Sequence, residues 1–433
     1  MSGPPTSRFA AARGLVIDLE PLRRDPDFRR LWTGQSINII GSQITRVALP
    51  YQVFVHTGSM TALAGLTLVQ LIPIMLFSLT GGVIADAFDR RRVLIVSQLA
   101  LAATSLALVF LSLQPVMSMP ALFAVAFVAA GVSAVDQPAR SSATPRLVPA
   151  ERLRAAIALG QLTFNAGSVL GPVIAGILIG SVGAAGAFGA DVVTYVASLA
   201  MLVRIRPIPP LSDAARPGLA AVREGLRFVR SRRLILSTFA IDLNAMIFGM
   251  PNAVFPALAL DVFKVGPVGL GFLTAAPAVG AFLAITLSGG LSRIRRIGRG
   301  IVLAVVAWGA AIALFGLSTF LFPLALVFLA VAGAADVVSA VFRSSVVQME
   351  APDELRGRVA AIHILVVTGG PRVGDIEAAL VASAIGAQLS VISGGLLCLL
   401  GVARVMRAFP ELDAHVAPRP APASVLAAGD VAG

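Results

Sequence analysis

The chain has 433 residues, of which 57% are hydrophobic and 13% are charged, and its mean hydropathy is +0.89. Soluble domains carry about 25% charged residues, so this composition excludes a soluble protein and predicts a polytopic membrane protein. The net charge of +12 does not indicate nucleic-acid binding, because the basic residues lie in short segments between apolar runs and form no separate basic domain.

Residues 1–27 are rich in Arg, Pro and Ala and contain no continuous apolar run. This composition does not fit a cleavable signal peptide, which needs a short apolar core. We therefore expect a disordered cytosolic tail over 1–27.

The first predicted span, Leu31 to Val55, is unusually polar. Gln35, Asn38, Ser42 and Arg46 follow one another at intervals of three, four and four residues, which places them on one face of a helix. An arginine at that depth costs from ~3 kcal/mol upward unless it meets protein or water. The stripe predicts either polar packing against other helices or the wall of an aqueous cavity, and the cavity is favoured.

Spans two and three are predicted at Thr61 to Val83 and Val93 to Leu113, joined by a short charged loop. Gly82, at the end of span two, and Asp86 and Arg90 in the loop follow the order Gly-x-x-x-Asp-x-x-x-Arg-Arg. Glycines allow close helix approach, and the arginines are typical of a cytosolic connection. The order resembles the loop between helices two and three of the major facilitator superfamily. The alternative is an ordinary charged hairpin between two membrane helices.

Span four, Met119 to Gln137, ends in Asp136-Gln-Pro-Ala-Arg140. Span five, Ala155 to Ile179, contains Gly167-Ser-Val-Leu-Gly171-Pro. The latter is similar to the Gly-x-x-x-Gly-Pro pattern in the fifth helix of superfamily exporters and antiporters. Glycines and a proline also serve general close packing and kinking, so that alternative stays open.

After span six, Ala187 to Val203, the segment Arg204 to Arg233 contains four prolines and eight arginines and is long enough to link two bundles. Six further spans are predicted at Leu234 to Leu260, Gly269 to Leu287, Ile301 to Ser318, Leu321 to Val341, Val359 to Ser383 and Leu389 to Ala403. The predicted domains are an N-terminal six-helix bundle (28–205), a cytosolic linker (206–232), a C-terminal six-helix bundle (233–408) and a disordered cytosolic tail (409–433).

Charge distribution and an internal repeat support twelve spans. Arginine falls overwhelmingly in the tails and the even-numbered connections, whereas the odd-numbered connections carry only Lys264, which predicts that both termini are cytosolic. Four features recur in the two halves: Pro73 with Pro277, Gly81-Gly82 with Gly289-Gly290, Arg140-Ser141-Ser142 with Arg343-Ser344-Ser345, and Gly171-Pro172 with Gly370-Pro371. Opposite Asp86 the second half has Ile294, so only the first copy of the loop keeps its acid.

These patterns together predict an all-α polytopic membrane protein of the major facilitator fold, with two parallel six-helix bundles related by pseudo-two-fold symmetry. Four segments are similar to the branch of enterobactin exporters and related multidrug or macrolide efflux proteins: 27–32, 44–50, 136–140 and 369–377. The resemblance covers about residues 27–407. It implies proton-driven export of a small amphipathic molecule, such as a drug or a siderophore, across the bacterial plasma membrane by a monomer surrounded by lipid.

Two alternatives to export stay open. One is uptake of a small metabolite, and the other is a receptor or scaffold that keeps the fold without transport. Retained charges inside the membrane favour transport, because each costs stability. No enzyme, metal or cofactor site is predicted, since Cys398 is the only cysteine, His56, His363 and His415 are scattered, and no nucleophile has a base partner.

The candidate site residues form three groups. For the substrate cavity, which the first and fifth helices of each half line in the superfamily, they are Gln35, Asn38, Ser42, Asn165 and Asn244. For proton coupling they are Arg46, Asp242, Arg372, Asp375 and Glu377. For the cytosolic gate they are Gly82, Asp86, Arg90, Asp136 and Arg140.

The resemblance also implies how the gate works: in the outward-facing state Asp86 bonds the start of span eleven near residues 357–361, and Arg90 pairs with Asp136.

A proton carrier must be stable both charged and neutral within the membrane. Asp242 is the first choice, because no basic residue precedes it until Arg233, and Asp375 is the second. Asp242 could instead pair with an unseen residue such as Arg46, and Asp375 could form a structural ion pair with Arg372. Asp191 is expected to be hydrated near the outer end of span six.

Overall fold

The computed structural model describes residues 18–210, 219–287 and 294–416, and the regular secondary structure in these ranges is helical. Within them, ten helices are long and apolar enough to cross a membrane. Most of both predicted tails (1–17 and 417–433), part of the linker (211–218) and the repeated pair Gly289-Gly290 lie outside the described residues.

The N-terminal half begins with four long helices: α1 Pro26–Thr57, α2 Met60–Ala87, α3 Arg90–Ser112 and α4 Met119–Leu147. The next helix, Ala150–Leu202, is interrupted at Gly183, where φ is 75° and ψ is 177°. Residues other than glycine rarely adopt that conformation, so the chain turns here on a single glycine. We label 150–182 α5 and 184–202 α6.

The C-terminal half contains α7 Arg233–Val262, α8 Gly266–Thr286, α9 Ile297–Leu317, α10 Phe322–Glu350, α11 Asp353–Ile385 and α12 Ala387–Ala408. Helix α1, which carries the polar stripe, is not among the ten most apolar segments, and α5 and α6 count as one of them. The structure is therefore consistent with the twelve predicted spans.

Helix α7 is broken in its middle. An α-helical part, Arg233–Phe248, is followed by a 3₁₀ turn Asn252–Val254, a single α-turn and a π-helical turn Leu258–Val262. Pro251, just before the 3₁₀ turn, has no backbone N–H and so cannot continue the helical hydrogen bonding. The freed carbonyl of Gly249 accepts a hydrogen bond of 2.9 Å from the indole Nε1 of Trp308 in α9. The break is thus held in place by its neighbours.

The helices within each half approach closely at small residues. In the N-terminal half, a Cβ added at Gly171 of α5 would lie 2.4 Å from Cβ of Gln43 in α1. In the C-terminal half, a Cβ at Gly374 of α11 would lie 2.2 Å from the carbonyl oxygen of Met246 in α7. The two contacts join equivalent helices, in agreement with the internal repeat. Only glycine permits backbones this close.

The predicted even-numbered connections and the helix ends that they join define what we call the arginine-rich face. The two halves meet toward the opposite face. There a Cβ at Gly271, near the start of α8, would lie 2.4 Å from the carbonyl oxygen of Pro172 in α5. The second part of α7 also contacts α1 and α2. Nearer the middle, the Arg372 Nη1 of α11 donates to Oε1 of Gln70 in α2 at 2.8 Å.

Parts of the predicted tails are helical and attached to the bundles, which corrects the expectation of disorder there. Residues Glu20–Arg24 form a short helix, and Arg152 at the start of α5 pairs with Asp25 at 3.1 Å. At the other end, Glu411–Ala414 is helical, its Leu412 is fully buried, and Arg233 pairs with Glu411 at 2.8 Å. Ion pairs and an apolar anchor order these segments, and both lie just beyond a span.

Candidate functional site

Charged side chains from both halves converge on the space between them. Arg46 of α1 is exposed to this space and interacts electrostatically with Asp375 of α11. Arg372, one helical turn before Asp375, interacts with both of them. Three of the five predicted coupling residues therefore belong to one group, which we call the central charged site (Arg46, Arg372 and Asp375).

Asp375 also stabilises the break in α7. Its Oδ1 accepts a hydrogen bond of 2.9 Å from the backbone N–H of Ala253, and the N–H of Asn252 donates to the same carboxylate. These N–H groups start the 3₁₀ turn and have no helical partner, because Pro251 interrupts the preceding helix. A carboxylate at this position satisfies them, as at a helix N-terminus. Through this hydrogen bond, a movement of Asp375 would also move the break in α7.

The polar stripe of α1 divides over two environments. Ser42, like Arg46, is exposed, and Gln35 is half-buried on the same side. Asn38 is only 9% exposed. Gly41, three residues later, packs on α6, where an added Cβ would lie 2.5 Å from Asp191 Oδ1. Asn38 is therefore buried, which corrects the prediction that it faces an aqueous cavity.

The other two predicted cavity residues make local contacts. Asn165 of α5 accepts a hydrogen bond of 3.1 Å from Gln161, one turn earlier. Asn244 of α7 donates its Nδ2 to the carbonyl oxygen of Cys398 in α12 at 2.9 Å. Asn244 consequently lies at a helix–helix contact within the C-terminal half rather than on the predicted cavity face.

Asp242 has a partner that sequence reasoning did not identify. Nη2 of Arg343 in α10 lies 2.8 Å from its Oδ1, and both side chains are almost fully buried. The same guanidinium lies 3.9 Å from Asp336 Oδ1, and its Nη1 donates to Ser339 Oγ at 2.6 Å. The suggested partner Arg46 is therefore wrong. Removing either member of such a pair would leave an uncompensated buried charge.

A second carboxylate, Asp336, was missed in the sequence, although an acid inside span ten should have been singled out by the same rule as Asp242. It lines a cavity of about 190 Å³ together with Asn252 and Pro251 of the α7 break, Pro277 of α8 and Trp308 of α9. Arg343 lies between Asp336 and Asp242. We call Asp242, Asp336 and Arg343 the C-terminal charged cluster.

His363 of α11 lies close enough to Asp242 for an electrostatic interaction, and its ring packs 5.9 Å from that of Phe239. The cluster and the central charged site are separated by the broken part of α7.

The surroundings of Asp191 and Glu377 differ from those expected from the sequence. Asp191 is 1% exposed and accepts hydrogen bonds from Thr45 of α1 at 2.6 Å and Ser105 of α3 at 2.7 Å. The expectation that it is hydrated is wrong, because α1 and α3 cover it. Glu377 is half-buried and two residues after Asp375, which turns an α-helix by about 200°. Glu377 therefore lies on the other side of α11 from the central charged site.

The predicted gate is described only in part, because the surroundings of Gly82 and the side chain of Asp86 lie outside what the structure describes. Asp136 forms a salt bridge of 2.8 Å with Arg140 and accepts a hydrogen bond from Ser97. Arg90 donates to Ser142 Oγ at 3.1 Å and to the carbonyl oxygen of Pro209 at 3.2 Å. The Asp86 latch in the outward-facing state stays a prediction.

Two six-helix halves with charged residues at their junction define a membrane transporter of the major facilitator fold, as predicted. The chain belongs to the transmembrane secretion effector family, whose model matches residues 17–428. It is 29% identical over 404 residues to the enterobactin exporter EntS of Shigella boydii serotype 4 (strain Sb227). That similarity covers 89% of this chain and 93% of the exporter. The EntS protein of Escherichia coli O139:H28 (strain E24377A / ETEC) is similar over the same shares, also at 29% identity.

Solved structures share the fold. The nucleoside transporter NupG superimposes with a TM-score of 0.73 at 14% identity, over 88% of this chain and 99% of that one. A bacterial homologue of the lysosomal transporter Spinster, inward-facing and unoccupied, gives 0.71 at 15% identity, over 92% and 99%. The similar proteins are transporters and not enzymes, as predicted. The protein is a multi-pass membrane transporter of a small molecule.

Proposed function

We propose that the protein is a secondary active exporter that moves a small amphipathic molecule, of the siderophore or drug type, across the plasma membrane in exchange for protons. The observation that carries the proposal is the central charged site, which both halves build at their junction. Charges at that depth are costly, and in transporters they mark the substrate and ion pathway. The similarity to enterobactin exporters supports export and makes a siderophore the first candidate.

Alternating access is supported by where the halves touch. The close contact of Gly176 in α5 with Gly271 in α8 lies toward the face opposite the arginine-rich face. Short connections rich in arginine are cytosolic, which puts both termini in the cytosol. The described conformation then corresponds to the state closed on the outside. Rocking of the parallel halves about the central charged site would open that side and close the cytosolic one.

The C-terminal charged cluster is the proposed proton site. Its two carboxylates share one guanidinium, because Arg343 lies 2.8 Å from Asp242 and 3.9 Å from Asp336. With both acids ionised the buried cluster has one excess negative charge, and a single bound proton cancels it. Asp336 also lines the cavity at the α7 break, and Asp375 caps that break from the other side. A proton bound by the cluster could therefore influence the central charged site.

The test is transport of enterobactin by the full-length protein in inside-out vesicles with an imposed pH gradient. Wild type should accumulate it only with the gradient, and Asp242→Asn should abolish accumulation while keeping downhill exchange. Asp261→Asn is the matched control, since Asp261 is exposed at the end of the same helix α7. Accumulation that ignores the gradient in wild type, or full gradient-driven accumulation by Asp242→Asn, would refute the coupling.

A further inference from the structure

We infer that the substrate is an organic anion, held by the guanidinium groups of Arg46 and Arg372. This inference rests on the proposed function only in taking the space between the halves as the substrate path. It narrows the chemical class of the substrate beyond size and amphipathic character.

The first argument is the balance of charge in the central charged site. Two guanidinium groups face one carboxylate, and Arg46 and Arg372 interact unfavourably with each other as like charges. The Asp375 carboxylate is already occupied, because the N–H groups of Asn252 and Ala253 donate to it. The site therefore has an excess positive charge and a carboxylate that is engaged elsewhere.

Other acids inside the membrane helices do not restore the balance. Asp191 is covered within the N-terminal half, and Asp242 and Asp336 share Arg343 within the C-terminal half. Glu377 lies on the other side of α11. Among the described membrane helices, Asp375 is thus the acid that faces the two arginines.

The second argument is the hydrogen bonding of the two guanidinium groups. Among the described residues, Arg46 has no hydrogen-bond acceptor and no ion pair within bonding distance, although its side chain is exposed to the space between the halves. Arg372 uses Nη1 for Gln70, and we find no acceptor for its remaining donors in the described part of the chain. By contrast, the buried Arg343 has Ser339 and two carboxylates around it.

A guanidinium carries five donors in a planar fork that fits carboxylate and other oxyanions by two parallel hydrogen bonds. Arg46 presents such a fork with its donors unused. A bound anion would supply the acceptors and relieve the repulsion between the arginines, whereas a cation would increase that repulsion. Anion binding is therefore the chemistry that the central charged site lacks and can accept.

The experiment compares two dyes that share the xanthene ring system, the anion 5-carboxyfluorescein and the cation rhodamine 6G. Binding to the purified full-length protein in lipid nanodiscs is measured by fluorescence anisotropy, with empty nanodiscs subtracted. Wild type should bind the anion at least about tenfold more tightly than the cation. Arg46→Gln should weaken anion binding about 10- to 100-fold, the range for loss of a charge-assisted hydrogen bond, and Arg46→Lys should weaken it less.

Arg404→Gln is the matched control, because Arg404 is exposed on α12, away from the central charged site, and it should leave both affinities unchanged. In wild type, the anion should also protect Arg46 from modification by phenylglyoxal, read by mass spectrometry. Equal or tighter binding of rhodamine 6G, absence of carboxyfluorescein binding, or unchanged anion affinity in Arg46→Gln would each overturn the inference.

Binding is measured without a gradient, so its outcome is independent of coupling and direction. Selective anion binding without transport would contradict the proposed function and leave this inference standing. Gradient-driven transport of the cation in preference to the anion would overturn this inference and leave the proposed coupled transport standing.

Discussion

The contact between α5 and α8 offers a direct test of the proposed rocking of the two halves. A Cβ added at Gly176 would lie 2.6 Å from the carbonyl oxygen of Pro267 and 3.0 Å from Cα of Val268, whereas ordinary contacts begin at 3.4 Å. Both obstructing atoms belong to the backbone of α8 and cannot rotate away. In Gly176→Ala the two helices must therefore separate by several tenths of an ångström wherever they meet.

Such overpacking costs about 1–3 kcal/mol. The cost applies to the conformation in which α5 touches α8, and not to the proposed conformation that is open on the face opposite the arginine-rich face. The equilibrium between the two conformations should consequently shift about 5- to 150-fold toward the open one. The whole effect comes from one methyl group.

The measurement is the distance between nitroxide labels at Gln114 and Phe320, by pulsed electron spin resonance in a Cys398→Ala background. The two exposed positions lie in the α3–α4 and α9–α10 connections, one in each half, on the face opposite the arginine-rich face. Gly176→Ala should add a population at longer distance. Gly160→Ala on the same helix, where a Cβ meets nothing within 4 Å, should give the wild-type distribution. Identical distributions for both variants would refute the reasoning.

Three further changes test other parts of the structure. Gly280→Ala places a Cβ only 1.7 Å from the carbonyl oxygen of Ala330 in α10. It should lower the free energy of unfolding by more than about 3 kcal/mol and reduce the folded yield on size-exclusion chromatography. A normal yield would contradict this packing. In the Cys398→Ala background, Ser42→Cys should react with a water-soluble thiol reagent much faster than Asn38→Cys, because Ser42 is exposed and Asn38 is 9% exposed; equal rates would show that the stripe is not divided. Asp86→Asn should lower transport at equal membrane abundance, and unchanged transport would remove the latch.

The helices could be predicted because hydropathy, glycine, proline and charge are local signals. The limits of α6 were less accurate: the span was predicted from Ala187, but the helix resumes directly after Gly183. The turn is made by one glycine with positive φ in a run of small and apolar residues, and glycines also occur inside these helices, so Gly183 did not stand out as a turn in the sequence. The break in α7 likewise depends on Trp308 and Asp375, which lie in other helices.

For the site, the sequence indicated which charged residues lie within the membrane, but not which residues they pair with. Arg46, Arg372 and Asp375 were predicted as intramembrane charges, and the fold brings them together. The partner of Asp242 could not be predicted, because it depends on the rotation of α10, which places Arg343 toward α7. Side-chain direction could not be predicted either, since Asn38 is buried and Asn244 donates to the carbonyl oxygen of Cys398 in α12.

The segment that links the two halves sets an upper limit on how far they can separate. Arg90 fixes the carbonyl groups of Ile208 and Pro209 to the N-terminal half, while the helix Leu219–Ser231 is attached to α11 through the Glu224–Arg358 pair. From residue 210 to residue 219 the chain advances nine residues and can span at most about 32 Å. If the two halves rock as we propose, the ends of the chain fixed at residues 210 and 219 cannot separate by more than this length. Deleting four residues between these positions shortens the maximum reach to about 18 Å. The proposed separation of the halves on the arginine-rich face should then be smaller, whereas inserting a Gly-Ser stretch of similar length should leave it unchanged.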